Sequence, residues 1–205
     1  MIENIEVVNR SLRNRPAEEV ISWALGLSNR VITTTTFGNH SAALLHMVTQ
    51  QRSDAPILWV DTGYNTPATY RFADNLIEHL DLNMQIYTPE MTTVRRNVLM
   101  GGIPEIDHPL HEEFTRQVKL EPFDRATTAL RTMVWITGIR REQTEYRRAL
   151  DIVSLTKEGY IKVAPLLDWD ESRLHDYLEI HDLPNEPDYF DPTKVSASRE
   201  CGLHA

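Results

Sequence analysis

The sequence predicts an α/β protein: an open, mostly parallel sheet with helices on both faces, followed by a mobile C-terminal tail. Three observations predict it. Short β-branched runs alternate with amphipathic stretches of helical period. The runs end in polar or glycine-bearing turns that open into the next helix, as βα units do. The 205 residues, 41% of them hydrophobic, suffice for one well-packed domain and leave little for a second. That domain is expected over residues 1–181, with residues 182–205 as the tail.

Pro16 followed by Ala17, Glu18 and Glu19 starts a helix, because proline suits the first turn and acids suit its positive end. Val20, Ile21, Trp23, Ala24 and Leu27 are its apolar stripe, and Gly26 lies near its end. Residues 30–36, Arg-Val-Ile-Thr-Thr-Thr-Thr, read as a buried strand. Phe37-Gly38-Asn39 is a turn, and residues 41–50 are helical. The unit repeats with a strand over 56–60, a turn at Asp61-Thr62-Gly63-Tyr64 and a helix over 67–80. A third strand is expected over 84–87. Gly101-Gly102, Pro104 and Pro109 predict irregular structure or short helices across 89–121. A helix over 122–131, strands over 133–137 and 161–164, and a helix capped near Asp170 and running to about Ile180 complete the domain. Beyond Asp182, prolines and polar residues dominate.

The formal charge of −9 argues against broad nucleic-acid binding, which needs a basic face. Within that acidic chain, Arg140, Arg141, Arg147 and Arg148 cluster, either as a small-anion site or as a solvated helix face. No apolar run is long enough to cross a bilayer, and the first residues lack the basic and apolar regions of a secretory signal. The single cysteine, Cys201, excludes an internal disulfide and an all-cysteine metal cluster held by one chain. A reducing, cytoplasmic compartment is expected. The histidines at 40, 46, 79, 108 and 111 have no metal-ligand spacing, so no metal is expected.

Open parallel sheets bind ligands beyond the carboxyl ends of their strands. Three strand ends carry suitable turns: Thr33 to Ser41, Asp61 to Tyr64, and Thr137 to Arg141. The first puts hydroxyls and Gly38 at a helix start, where unpaired N–H groups favour an anion. Together these turns resemble a known family. Thr33-Thr34-Thr35-Thr36-Phe37-Gly38-Asn39-His40-Ser41 looks like the modified pyrophosphate loop of the phosphoadenylyl-sulfate (PAPS) reductases. Asp61-Thr62-Gly63-Tyr64 with Pro67, Thr69, Tyr70, Arg71 and Phe72 looks like their second motif, and residues 119–126 their third. Gly138-Ile139-Arg140-Arg141-Glu142-Gln143 with Arg147 resembles the arginine motif, and residues 163–169 the segment before the last helix. Arg199-Glu200-Cys201-Gly202-Leu203-His204 is similar to the catalytic C-terminus and is the most specific piece.

The resemblance implies an adenine nucleotide alpha-hydrolase-like fold and a cluster-free, thioredoxin-dependent reductase that makes sulfite from PAPS. It gives Cys201 the nucleophile's role, and the thiolate needs a nearby cation. Arg199 and His204 are candidates for that, although His204 also reads as a solvated terminal residue. Thr34, Thr35, Thr36, Phe37, Gly38 and Ser41 would cradle the phosphosulfate. Asp61, Thr62 and Gly63 would border the nucleotide. Lys119, Arg140, Arg141 and Arg147 would neutralise phosphate and sulfate charge, a role that suits the planar guanidinium fork. No bound cofactor is implied; reduced thioredoxin or glutaredoxin supplies electrons, and a homodimer is expected. One cysteine cannot hold an iron–sulfur cluster, which favours PAPS over adenylyl sulfate.

The segment between the last helix and Cys201 is shorter than the family pattern. Two further readings follow: a nucleotide sensor on the same fold without turnover, and a cluster-free adenylyl-sulfate reductase.

Overall fold

The structure, a computed structural model, describes residues 4–194. The order of elements is α1 (Ile5–Leu12), α2 (Ala17–Gly26), β1 (Val31–Thr35), α3 (Ser41–Gln51), β2 (Ile57–Val60), α4 (Pro67–Leu80) and β3 (Met84–Tyr87). Next come α5 (Thr93–Met100), α6 (His111–Thr115), a π-helical turn (Arg116–Leu120), α7 (Glu121–Ala129) and β4 (Val134–Ile136). A 3-10 turn (Arg141–Gln143), α8 (Glu145–Arg148), β5 (Val153–Leu155), β6 (Ile161–Val163) and α9 (Glu171–Ile180) follow.

Six strands form one sheet in the order β3-β2-β1-β4-β6-β5. All neighbours pair in parallel except β5, which lies antiparallel on β6 at the edge. The sheet is therefore mostly parallel, as the sequence predicts. Because side chains alternate along a strand, both faces are apolar and both are covered. Val31, Ile57, Val134, Ile136 and Val163 pack with the helix residues Ile21, Leu45 and Leu76 in the larger core. Their neighbours Ile32, Leu58 and Trp135 pack with Phe123, Ala126 and Tyr160 on the opposite face.

The helix ends follow from local chemistry. Thr66 caps α4 by accepting from the Thr69 N–H, ahead of Pro67 in the first turn. Asp170 caps α9 by accepting from the Arg173 N–H at 2.8 Å. Gly101 ends α5 at φ +76°, a left-handed conformation open to glycine at no steric cost.

Four elements escape the sequence reading: α1, the 3-10 turn, α8 and β5. β5 spans three residues, too few to show a period. α1 is short and amphipathic, and what holds it is tertiary. The buried Asn9 donates through Nδ2 to the Val153 carbonyl (2.9 Å) and accepts the Val153 N–H through Oδ1 (2.8 Å). The side chain thus closes the outer edge of β5 as a further strand would.

Residues 182–194 contain no helix or strand, in line with their prolines, but they are not loose. They lie against the carboxyl end of the sheet, and Asp191 and Thr193 are buried. Polar side chains in this segment find partners on the domain, which composition alone does not reveal.

Replacing Asn9 with alanine leaves a buried backbone N–H and C=O of Val153 without partners. Asn9→Ala is expected to cost about 1–3 kcal/mol in urea unfolding, with an unchanged slope.

Candidate active site

A cavity of about 560 Å³ opens at the carboxyl ends of β1 and β4, a size typical of small-molecule sites. Chain order diverges there: β1 pairs with β2 on one side and with β4 on the other. Such a divergence splays the following loops apart and leaves a crevice.

One wall is the loop from β1 to α3. Thr34, Thr35, Thr36, Gly38, Asn39, His40 and Ser41 border the cavity. The loop is held in an unusual shape. Phe37 and His40 both have positive φ, +50° and +61°, which non-glycine residues seldom adopt. Packing and hydrogen bonds hold this conformation in place. The Phe37 ring is buried edge-on to Trp59 with centroids 4.9 Å apart, and its N–H donates to Thr35 Oγ1 at 3.0 Å. The Trp135 indole donates to Thr34 Oγ1 at 2.8 Å. His40 Nδ1 and Ser41 Oγ are buried with no hydrogen-bond partner among the described residues. They stand at the amino end of α3, where an anion is favoured.

The facing wall carries charge. Lys119 comes from the π-helical turn, Arg140 from the segment after β4, and Arg147 from α8. Arg140 is steadied by Glu142, and Arg147 donates to Gln143 Oε1. Lys119 donates to Asp191 Oδ2 at 2.5 Å. Tyr189, Phe190, Asp191 and Lys194 close the third side.

The structure therefore brings together Thr34, Thr35, Thr36, Gly38, Ser41, Lys119, Arg140 and Arg147 from the sequence-derived set. It places five others away from the cavity wall. Phe37 points into the core and acts through the loop's shape. Arg141 is engaged by Asp168 and by the carbonyls of Arg148 and Leu150, so it ties β4's exit to the neighbouring loops. Asp61 accepts from the Gly63 N–H (2.9 Å), Asn65 (2.9 Å) and the Tyr70 hydroxyl (2.8 Å), organising its own turn. Burial and that hydrogen bond push the Tyr70 phenol up to about 12, so it remains a donor. Thr62 Oγ1 accepts from the Tyr64 N–H in the same turn. Gly63, at φ +77°, lies so close to Thr93 Oγ1 that no side chain fits; it too is absent from the wall. Cys201, Arg199 and His204 lie outside the described residues.

Residues the sequence did not single out also line the cavity. Thr137, Gln143, Trp135, Tyr189, Phe190, Asp191 and Lys194 are among them. Gln143 was legible from its place in the arginine motif. Tyr189 to Lys194 carry no pattern of their own, because their role depends on a chain reversal after α9.

A doubly covered parallel sheet with a cationic, hydroxyl-lined cavity at its switch point defines a class: α/β proteins that bind phosphorylated nucleotides. The FMN adenylyltransferase of Candida glabrata shares this fold at a TM-score of 0.58 and 13% identity, over 82% of this chain and 56% of that one. More specific likenesses exist. Residues 30–191 match the phosphoadenosine phosphosulfate reductase domain. A phosphoadenosine 5′-phosphosulfate reductase of Synechococcus is 36% identical over 191 residues, covering 91% of this chain and 81% of that protein. One from Zymomonas mobilis is 37% identical over 180 residues, covering 87% and 73%. The crystal structure of PAPS reductase from Candida auris, a phosphate complex, superposes at a TM-score of 0.76 with 25% identity, covering 90% of this chain and 89% of that one. The chain belongs to the phosphoadenosine phosphosulfate reductase family.

Two histidines make stability depend on pH. Burial, then the Arg140 charge, holds His40 below its ordinary value of 6.5, and burial, then His181, does the same for His46. The unfolded chain takes up protons near that value that the folded chain refuses. Their contribution is therefore present above about pH 6.5 and lost as pH falls below it. The thermal midpoint is expected to drop between about pH 7 and about pH 5, and His46→Gln is expected to reduce the drop. An identical drop in the variant contradicts the assignment for His46.

Proposed function

We propose that the chain reduces 3′-phosphoadenylyl sulfate to sulfite and adenosine 3′,5′-bisphosphate, with Cys201 as nucleophile. The observation that carries the proposal is the cavity itself. It assembles Lys119, Arg140 and Arg147 from three separate segments opposite the hydroxyls and helix start of the β1–α3 loop. Such a site fits a ligand that joins phosphate-type charges to an apolar part, since Leu45, Leu58, Phe123 and Trp135 line it too. The family membership supplies the substrate's name.

The Cys201 thiolate attacks the sulfur of the phosphosulfate. An S–S bond forms, the S–O bond to the nucleotide breaks, and the bisphosphate leaves with the electron pair. Arg140 and Arg147 stabilise the charge that grows on the leaving phosphate, the largest electrostatic demand of the step. His40 Nδ1 and Ser41 Oγ offer further polar contacts at the amino end of α3. The S-sulfonated enzyme is then attacked at the Cys201 sulfur by one thiolate of a reduced dithiol protein, thioredoxin or glutaredoxin. Sulfite leaves, and the second thiol of the donor resolves the mixed disulfide, returning the Cys201 thiolate. The donor loses two electrons and the sulfur gains two.

One cysteine is too few for an iron–sulfur cluster, and this supports a cluster-free reaction. Among the described residues no helix is long and apolar enough to cross a membrane. A reaction run by a reduced thiol fits a cytoplasmic setting. The exposed Val94, Val98 and Leu99 on α5 offer apolar area to a second copy in a homodimer.

Incubation with PAPS alone is expected to add one sulfonate to Cys201, seen by mass spectrometry, and reduced thioredoxin is expected to release sulfite. Cys201→Ser should abolish both. Full activity in that variant overturns the mechanism. Tight binding of the bisphosphate without any adduct supports a nucleotide sensor instead, and faster turnover of adenylyl sulfate reassigns the substrate.

A further inference from the structure

After α9 the chain crosses the cavity mouth and is fastened at separate points. Asn185 Oδ1 accepts the backbone N–H of His40 at 2.7 Å. The hydroxyls of Thr66 and Thr69 donate to the Asp188 carbonyl at 3.0 and 3.2 Å. The Tyr189 ring lies flush on Gly38: a Cβ there would come within 2.9 Å of its Cγ. Gly38 thus makes room for this crossing segment as well as for a ligand.

The strongest fastening is buried. Lys119 and Asp191 pair at 2.5 Å with both side chains 6% exposed. The second carboxylate oxygen, Oδ1, accepts the Thr193 N–H (3.0 Å) and the Thr193 hydroxyl (2.6 Å). Asp191 therefore grips the domain with one oxygen and sets the direction of its own following residues with the other. Buried ion pairs of this kind contribute little net stability, but removing one partner is costly. Cys201 is the seventh residue after Lys194, which lies on the cavity wall. A fully extended chain of that length reaches at most about 25 Å. The point where the chain leaves Asp191 thus bounds where the thiol can be presented.

We propose that Asp191 is a positioning residue for the reductase reaction: through Lys119 it fixes residues 185–193 over the cavity and sets the exit from which Cys201 is delivered. This rests on the function proposed above. Lys119 Nζ also reaches Thr193 Oγ1 at 3.5 Å, so one ammonium holds both Asp191 and Thr193. Burial alone would raise the Asp191 pKa, but the Lys119 charge and the hydrogen bonds from Lys119 and Thr193 outweigh it and the carboxyl is held below its usual range. The carboxylate is therefore charged at neutral pH, and the fastening weakens as acid protonates it.

The test compares Asp191→Asn, Asp191→Glu and Thr193→Val in the full chain. Amide hydrogen exchange over residues 185–193 reports the fastening without any chemistry. Single-turnover sulfonation of Cys201 and the PAPS dissociation constant report delivery and binding. Asp191→Asn is expected to speed exchange across 185–193 and to slow sulfonation about 10–100-fold, while the dissociation constant moves less than about threefold. Asp191→Glu should recover part of the rate, and Thr193→Val should fall between Asp191→Asn and wild type. Unaltered exchange and rate in all three variants overturn the proposal, as does a loss of rate matched by an equal loss of affinity. If the wild-type protein is never sulfonated, the function proposed above fails, while the exchange data still decide whether Asp191 fastens the segment.

Discussion

The parallel pairing of β1 with β4 is the constraint on which the rest depends. Val31, Ile32 and Thr33 stand beside Val134, Trp135 and Ile136, although about a hundred residues separate them in sequence. That pairing sends the β1–α3 loop to one side and the arginine-bearing segment to the other. The gap between them becomes a crevice whose floor is apolar and whose walls are polar. Trp135 joins the two strands a second time through its bond to Thr34, so the floor and the hydroxyl wall are set by one side chain. A slip of one residue would turn the β4 side chains to opposite faces and break that bond along with both cores.

Charge is organised around the same crevice. The chain as a whole is acidic, so nothing in its net field draws an anion. Local cations do that work, and each is held before a ligand arrives. Lys119 is gripped by Asp191, Arg140 by Glu142, and Arg147 by Gln143. Preorganised donors need little rearrangement when charge develops on a leaving group. The same economy explains the strained loop at Phe37 and His40: its cost is met by the burial of Phe37 against Trp59 and Phe72.

Much of this was legible in the sequence because it rests on local rules. β-branched runs gave β1, β2 and β4, and Pro67 and Asp170 marked helix starts. Thr34 to Ser41 and the arginine motif announced the two cavity walls. The rest rests on contacts between distant residues. β5 is held to α1 by Asn9, and no window of sequence links residues 9 and 153. Arg141 and Arg140 are neighbours of one type, yet only the fold decides that Arg141 faces backbone carbonyls while Arg140 faces the cavity. Asp191 is similarly silent in sequence, because its partner lies 72 positions away.

Calorimetric titration with adenosine 3′,5′-bisphosphate tests the central claim, that this crevice is the nucleotide site. The wild-type chain should bind one equivalent. Arg140→Ala and Arg147→Ala should each weaken binding about tenfold or more, as loss of a charged hydrogen bond does. Arg148→Ala, whose exposed side chain pairs with Glu145 at 2.6 Å, should bind as wild type does. Equal affinity in all four proteins would contradict the account.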